Sequence, residues 1–340
     1  MSPASRALVL AMVLAMPLAA SSAQAQSKTG TTVAQFMQIE PDARIAAMGM
    51  AGSALDFGIE TAYFNPATVA LLERYEARFT HAAWLEGISY DYVAVGIPLG
   101  KLGSSLLSVT ALNSGDIAVR TVSQPFGTGE QYSVTDIAIG VGYGLQVTDR
   151  VSAGGQFNFI QETIWHSTAS TVTVNLGTLY RISANGLRLG ASLTNFGTSM
   201  HFTGRDLAIT YDNDPTRSGD NGSLPGERST GDYPLPLEFR VGVAQPWSFN
   251  GTTKLLVAAE AAHPSDNTES VSLGAELELR RIISLRAGYQ NLGQQDSEVG
   301  PTLGAGIQGR LDTYRYRVDY AWADQGRLEG THRISLGVTF

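Results

Sequence analysis

No cysteine occurs among the 340 residues, so no disulfide framework staples a small secreted fold. No stretch reaches about 18 uninterrupted apolar residues, which excludes crossing a membrane by helices. Catalytic signatures are missing too. G-x-S-x-G and H-E-x-x-H are absent, and the five histidines, at 81, 166, 201, 263 and 332, lack metal-ligand spacing. The G-x-G-x-x-G of Gly304 to Gly309 has no strand-turn-helix context and reads as strand glycines. Charged residues are only 16%, with a formal net charge of -8, a balance that weighs against nucleic acid as a partner. These absences predict a protein that is not an enzyme and carries no metal or cofactor.

What is present is alternation. The 37 glycines, with Ser, Thr and aromatics, suit strands and turns. From Tyr75 onward, segments of roughly ten residues alternate apolar and polar and are separated by Gly, Asn, Asp or Pro. They fall at 75–84, 89–98, 102–112, 131–145, 150–164, 168–182, 186–195, 236–245, 253–263, 268–280, 282–290, 299–310, 313–323 and 331–340, about fourteen in all. In 314–323, Tyr314, Tyr316, Val318, Tyr320 and Trp322 share one face, opposite Arg315, Arg317, Asp319, Ala321 and Ala323. Aromatics at both ends of an apolar face match the interfacial girdles of a membrane barrel. The last segment alternates up to Phe340, as suits a lipid-facing closing strand recognised by assembly machinery.

A soluble sandwich shows the same alternation; loop lengths separate the two. If both ends of the barrel domain lie in the periplasm, every even-to-odd connection is a short turn. Those here are short: PLGK (98–101), QVTD (146–149), SANG (183–186), PWSFNGT (246–252) and tight links near 281 and 311. The two long connections, 113–130 and 196–235, fall on the outer side. The expected fold is an all-β transmembrane antiparallel barrel with a small N-terminal helical hatch. Residues 1–25 read as a signal peptide ending in Ala23-Gln24-Ala25, 26–74 as a periplasmic segment and lumenal hatch, and 75–340 as an outer-membrane barrel in contact with outer-membrane lipid.

The lumen-facing set includes Asp136, Arg188, Arg240, Glu260, Glu276, Glu278, Arg286, Arg317 and Asp319. Buried charges must find partners, so the bland reading is a filled, internally paired lumen; the sharper one is a polar conduit. A face this charged argues against an apolar ligand pocket on the strands, although Ile45, Met48, Met50, Leu55 and Phe57 of the hatch are apolar. In loop 196–235, Asp212, Asp214 and Asp220 lack the spacing of a Ca²⁺ loop and read as a solvated acidic surface. With Tyr233 they mark the expected partner-binding loop.

The opening A-R-I-A-A-M-G within 43–51, then Asp56 and Tyr63-Phe64-Asn65-Pro66-Ala67, resembles the start of PorV/PorQ family proteins, a branch of the FadL-type barrels. SYDYVAVGIPLG (89–100), VTDRVSAGGQF (147–157), GLRLGASLTNFG (186–197), LRAGY (285–289) and HRISLG (332–337) extend the resemblance over most of the chain. It implies a fourteen-stranded barrel whose hatch motif comprises Gly49, Gly52, Asp56, Asn65 and Pro66. It also implies a docking or shuttle role in type IX-like protein export, with a secretion translocon and exported cargo as partners. The alternative is a FadL-like channel that takes a small hydrophobic ligand. Where the family has G-G-A-G and N-P-A-G, this chain has Gly49-Met50-Ala51-Gly52 and Asn65-Pro66-Ala67-Thr68, a change that bears on turn geometry.

Overall fold

The computed structural model describes residues 28–183, 186–219, 222–294 and 297–340. The signal segment and Asp220 therefore lie outside the described residues.

Fourteen antiparallel strands form one closed sheet: β1 Glu76–Ala83, β2 Ser89–Pro98, β3 Ser104–Asn113, β4 Val134–Gln146, β5 Val151–Ile164, β6 Ser167–Arg181, β7 Arg188–Gly197, β8 Glu238–Asn250, β9 Thr253–Pro264, β10 Ser270–Leu279, β11 Ile283–Leu292, β12 Pro301–Leu311, β13 Tyr314–Asp324 and β14 Gly330–Thr339. Closure is direct, since β1 pairs with β14 from Glu76↔Thr339 to Ala83↔His332. Each of the fourteen strands is thereby paired on both sides among the described residues. Each predicted strand is present. One turn differs from expectation: 246–252 is mostly strand, because β8 continues to Asn250 and only 251–252 turn. Pro246 is tolerated there because the pairing of β8 with β7 ends at Ala244↔Arg188, so its missing N–H faces no acceptor on that side.

Outward-facing side chains are apolar and exposed, among them Phe79, Val93, Ile139, Phe157, Leu285 and Ile334, the surface a lipid-facing barrel presents. Near the short-turn end the aromatic band includes Tyr75 stacked on Phe340 at 5.7 Å, with Tyr314 beside it. Both long connections lie at the opposite end. They carry small hairpins, Ile117–Ala118 with Gln131–Tyr132 and Ala208–Tyr211 with Leu224–Glu227.

The lumen is filled by residues 33–75. The segment starts at the long-loop side, where Val33 N–H donates to the Pro234 carbonyl at 3.1 Å. It passes through the short helix Ala43–Ala46 and the 3-10 turns Gly58–Glu60 and Pro66–Leu71 before entering β1. Asp42 caps the first helix by accepting from the Arg44 N–H, and Asn65 caps the last turn by accepting from the Ala67 N–H. The inner wall opposite this segment is lined with glycine. At Gly144, Gly154, Gly177, Gly190, Gly274 and Gly288 an added Cβ would run into hatch atoms, backbone in all but one case. The absence of a side chain lets the hatch backbone lie against the wall.

Candidate functional site

Two cavities open on the long-loop side. A mouth cavity of about 1040 Å³ lies between the loops, lined by Val33, Ile117, Tyr132, Trp165, Phe202 and Tyr233. Beneath it an inner chamber of about 460 Å³ is lined by Phe36, Met50, Trp84, Ile88, Leu112 and Val299, together with Glu40, Asp136, Glu162 and Arg333. The chamber's volume falls in the range of small-molecule sites, and the mouth lies just above its upper end. Residues 33–36 run between them, Val33 facing the mouth and Phe36 the chamber. Asp266 of the β9–β10 loop holds this stretch, accepting from Thr32 Oγ1 at 2.6 Å and Gln35 Nε2 at 2.8 Å.

Below the chamber the hatch closes the lumen through charge. Arg44 reaches Glu276 at 2.6 Å and Glu60 at 2.9 Å; Arg78 reaches Asp42 at 2.6 Å and Asp319 at 2.8 Å. Arg286 joins Glu276 at 2.6 Å and Asp319 at 2.9 Å, and Arg317 joins Asp319 at 3.0 Å. Four guanidiniums thus meet four carboxylates with little contact to water. Burial works against ionisation of Glu60, but the Arg78 and Arg44 guanidiniums outweigh it and hold this carboxyl below its ordinary value. A second cluster joins Arg240 to Glu238 and to Glu260, which accepts from the Ser53 N–H at 2.6 Å. Arg188 pairs with Asp56 at 2.6 Å.

The sequence-derived residues therefore divide. Gly49 adopts φ +64° against Leu273 and Tyr289, and Gly52 lies against the Phe64 ring. Asn65 donates to the Ser53 and Thr178 carbonyls at 2.7 and 2.9 Å, and Pro66 opens the turn that Asn65 caps. Arg188, Arg240, Glu260, Glu276, Arg286, Arg317 and Asp319 meet the hatch or one another. Asp136 does not: it faces the inner chamber. Glu278 stands apart as well, accepting from Gln308 Nε2 at 3.3 Å. Tyr233 lines the mouth, bridged to Met200, whereas Asp212 and Asp214 cap local turns in the exposed loop. Of the five apolar hatch residues singled out from the sequence, Met50 lines the chamber, Ile45, Met48 and Leu55 are fully buried, and Phe57 lies under the Arg44 guanidinium at 3.2 Å.

Sequence reasoning missed Asp42, Arg44, Glu60 and Arg78 of the ion network, and Glu40, Glu162 and Trp84 of the chamber. For Arg78 a signal was available, since period two sets Arg78, Thr80 and Ala82 inward against Phe79 and His81. Hatch residues follow no such period.

No family model matches the chain, and no curated protein matches it. Solved structures do. The Pseudomonas putida toluene transporter TodX superposes with a TM-score of 0.57 at 14% identity, covering 88% of this chain and 98% of that one. A Pseudomonas aeruginosa FadL homologue gives 0.55 at 11% identity, covering 92% and 99%. The Ralstonia pickettii toluene transporter TbuX gives 0.53 at 13% identity, covering 88% and 97%. The fold is that of FadL-like outer-membrane barrels. TodX and TbuX are toluene transporters.

Proposed function

We propose that the chain is an outer-membrane channel for small hydrophobic molecules, which it receives at the mouth and passes to the inner chamber. The observation that carries this reading is the succession of two cavities on the long-loop side of the barrel, a mouth lined mainly by apolar and aromatic residues and an inner chamber in which apolar and polar residues are mixed. Trp165, Phe202 and Tyr233 give the mouth large flat surfaces for an apolar solute, and Phe36, Trp84 and Ile88 continue that lining below. Most of the charged strand face does not oppose this, because Glu276, Arg286, Arg317 and Asp319 pair with one another and with the hatch lower in the lumen; Asp136, Glu162 and Arg333 face the chamber itself. Since the hatch fills the axis, a molecule in the chamber reaches the periplasm only after part of the hatch or wall moves.

The protein-export role implied by the PorV/PorQ resemblance rests on sequence motifs alone. One preparation tests both: purification from detergent-solubilised outer membranes, with retained lipids and bound proteins identified by mass spectrometry. A retained apolar molecule without a protein partner supports the channel. A very large translocon barrel or secreted cargo, without apolar ligand, overturns it.

A further inference from the structure

The inner chamber is unequal in charge. Asp136 on β4 and Glu162 on β5 stand directly opposite each other in the ladder, face inward and are each only 8% exposed. Among the described residues no cation lies within ion-pairing reach of either. Asp136 Oδ1 has no hydrogen-bond partner. On the same chamber, Glu40 is 1% exposed and its Oε2 is likewise unpartnered. The chamber's one guanidinium, Arg333, stacks on Trp84 at 4.9 Å, forms no ion pair among the described residues, and leaves its Nε unpartnered. Like charges facing each other across a ladder are destabilising, and buried anions call for a donor or a cation. Elsewhere in the lumen this chain supplies arginine for that purpose; here three carboxyls face one.

We infer that the chamber takes an amphipathic amine, its apolar body filling the cavity and its ammonium head lying between Asp136 and Glu162. The inference rests on the channel reading above and specifies its ligand. A carboxylate-headed molecule of the same shape is disfavoured by the same pair, since its charge would be the third or fourth anion in one small space.

Three probes of similar shape test this by equilibrium dialysis against the folded barrel in neutral detergent near pH 7: 2-phenylethylamine, 3-phenylpropionate and propylbenzene. The amine should bind at least about tenfold tighter than propylbenzene, the scale of one charge-assisted hydrogen bond, and 3-phenylpropionate should bind weakest. The double variant D136N/E162Q should bring the ratio of amine to propylbenzene affinity from about tenfold down to about one, with heat-modified gel migration reporting the folded state. Carboxylate binding equal to the amine's in the wild-type barrel overturns the proposal without any variant. So does an amine preference that survives D136N/E162Q. If propylbenzene fails to bind but the amine binds and is lost in the double variant, the channel for neutral hydrophobes falls and the amine site stands. If no probe binds, both fall.

Discussion

The two parts of the lumen solve the problem of buried charge in opposite ways. Where the hatch is seated, every carboxylate of the Asp42, Glu60, Glu276 and Asp319 set is met by a guanidinium, and glycines in the wall bring the two surfaces into contact. On the long-loop side, Asp136 and Glu162 stand side by side without a cation on the wall of a cavity of about 460 Å³. The lesson is that alternation fixes which residues point inward, while the depth at which the hatch lies fixes whether they are structural or available to a ligand. The hatch-filled part is held by paired charge; the open part leaves its carboxylates facing a cavity.

Breaking the filled part should have the largest effect. Asp319 is fully buried and touches Arg78, Arg286 and Arg317, so Asp319→Ala leaves three guanidiniums short of a partner and should cost about 3 to 5 kcal/mol. Urea titration followed by heat-modified gel migration measures this. Next comes the wall. Gly190→Val drives a side chain into the Ser53 carbonyl and should cost about 1 to 3 kcal/mol by overpacking. Gly309, where nothing lies within 4 Å, should accept Val with a change within about 0.5 kcal/mol, and equal effects at the two positions would contradict the seating of the hatch.

The open part should show function lost without stability. Trp165→Ala removes an exposed mouth surface and should slow hydrocarbon uptake roughly fivefold at low concentration, the scale of one lost contact, with unfolding unchanged. A smaller effect belongs to pH. Burial, reinforced by Asp42, pushes the Glu40 carboxyl well above its ordinary 4.5. The folded state therefore binds this proton more tightly than the unfolded chain, so stability falls as pH rises above that ordinary value, and the loss is complete above the folded-state pKa. Glu40→Gln should flatten that slope; a variant with the wild-type slope would remove Glu40 from the account. The smallest effect is expected at Asp136→Asn, which relieves repulsion with Glu162 and should leave stability unchanged or slightly higher, in contrast to Asp319.

The barrel was legible in the sequence because its signals are periodic. Period two and the confinement of long connections to one side gave strand number, order and facing, and failed only at 246–252, where Pro246 and Gly251 suggest a longer turn than the backbone makes. The site was less legible. Asp136 and Asp319 both read as inward carboxylates on strands, and nothing in their local sequence distinguishes one that meets three arginines from one that faces a chamber. That difference depends on where residues 33–75 lie, a segment with three-to-six-residue turns and no repeating period. Its partners Asp42, Arg44 and Glu60 were invisible for the same reason. Strand glycines such as Gly304 looked like simple sheet residues, yet a Cβ at Gly304 would collide with Ala47 of the hatch.

The central claim is that small apolar molecules pass through the chamber. The direct measurement is the initial rate of uptake of a radiolabelled monoaromatic hydrocarbon by cells carrying the wild-type barrel, the chamber-filling variant Val299→Trp, or no barrel, with folded barrel quantified in each outer membrane. The account predicts uptake above background for the wild type and a return to background for Val299→Trp. Wild-type uptake no faster than that of cells without the barrel, or full uptake with the chamber filled, would contradict it.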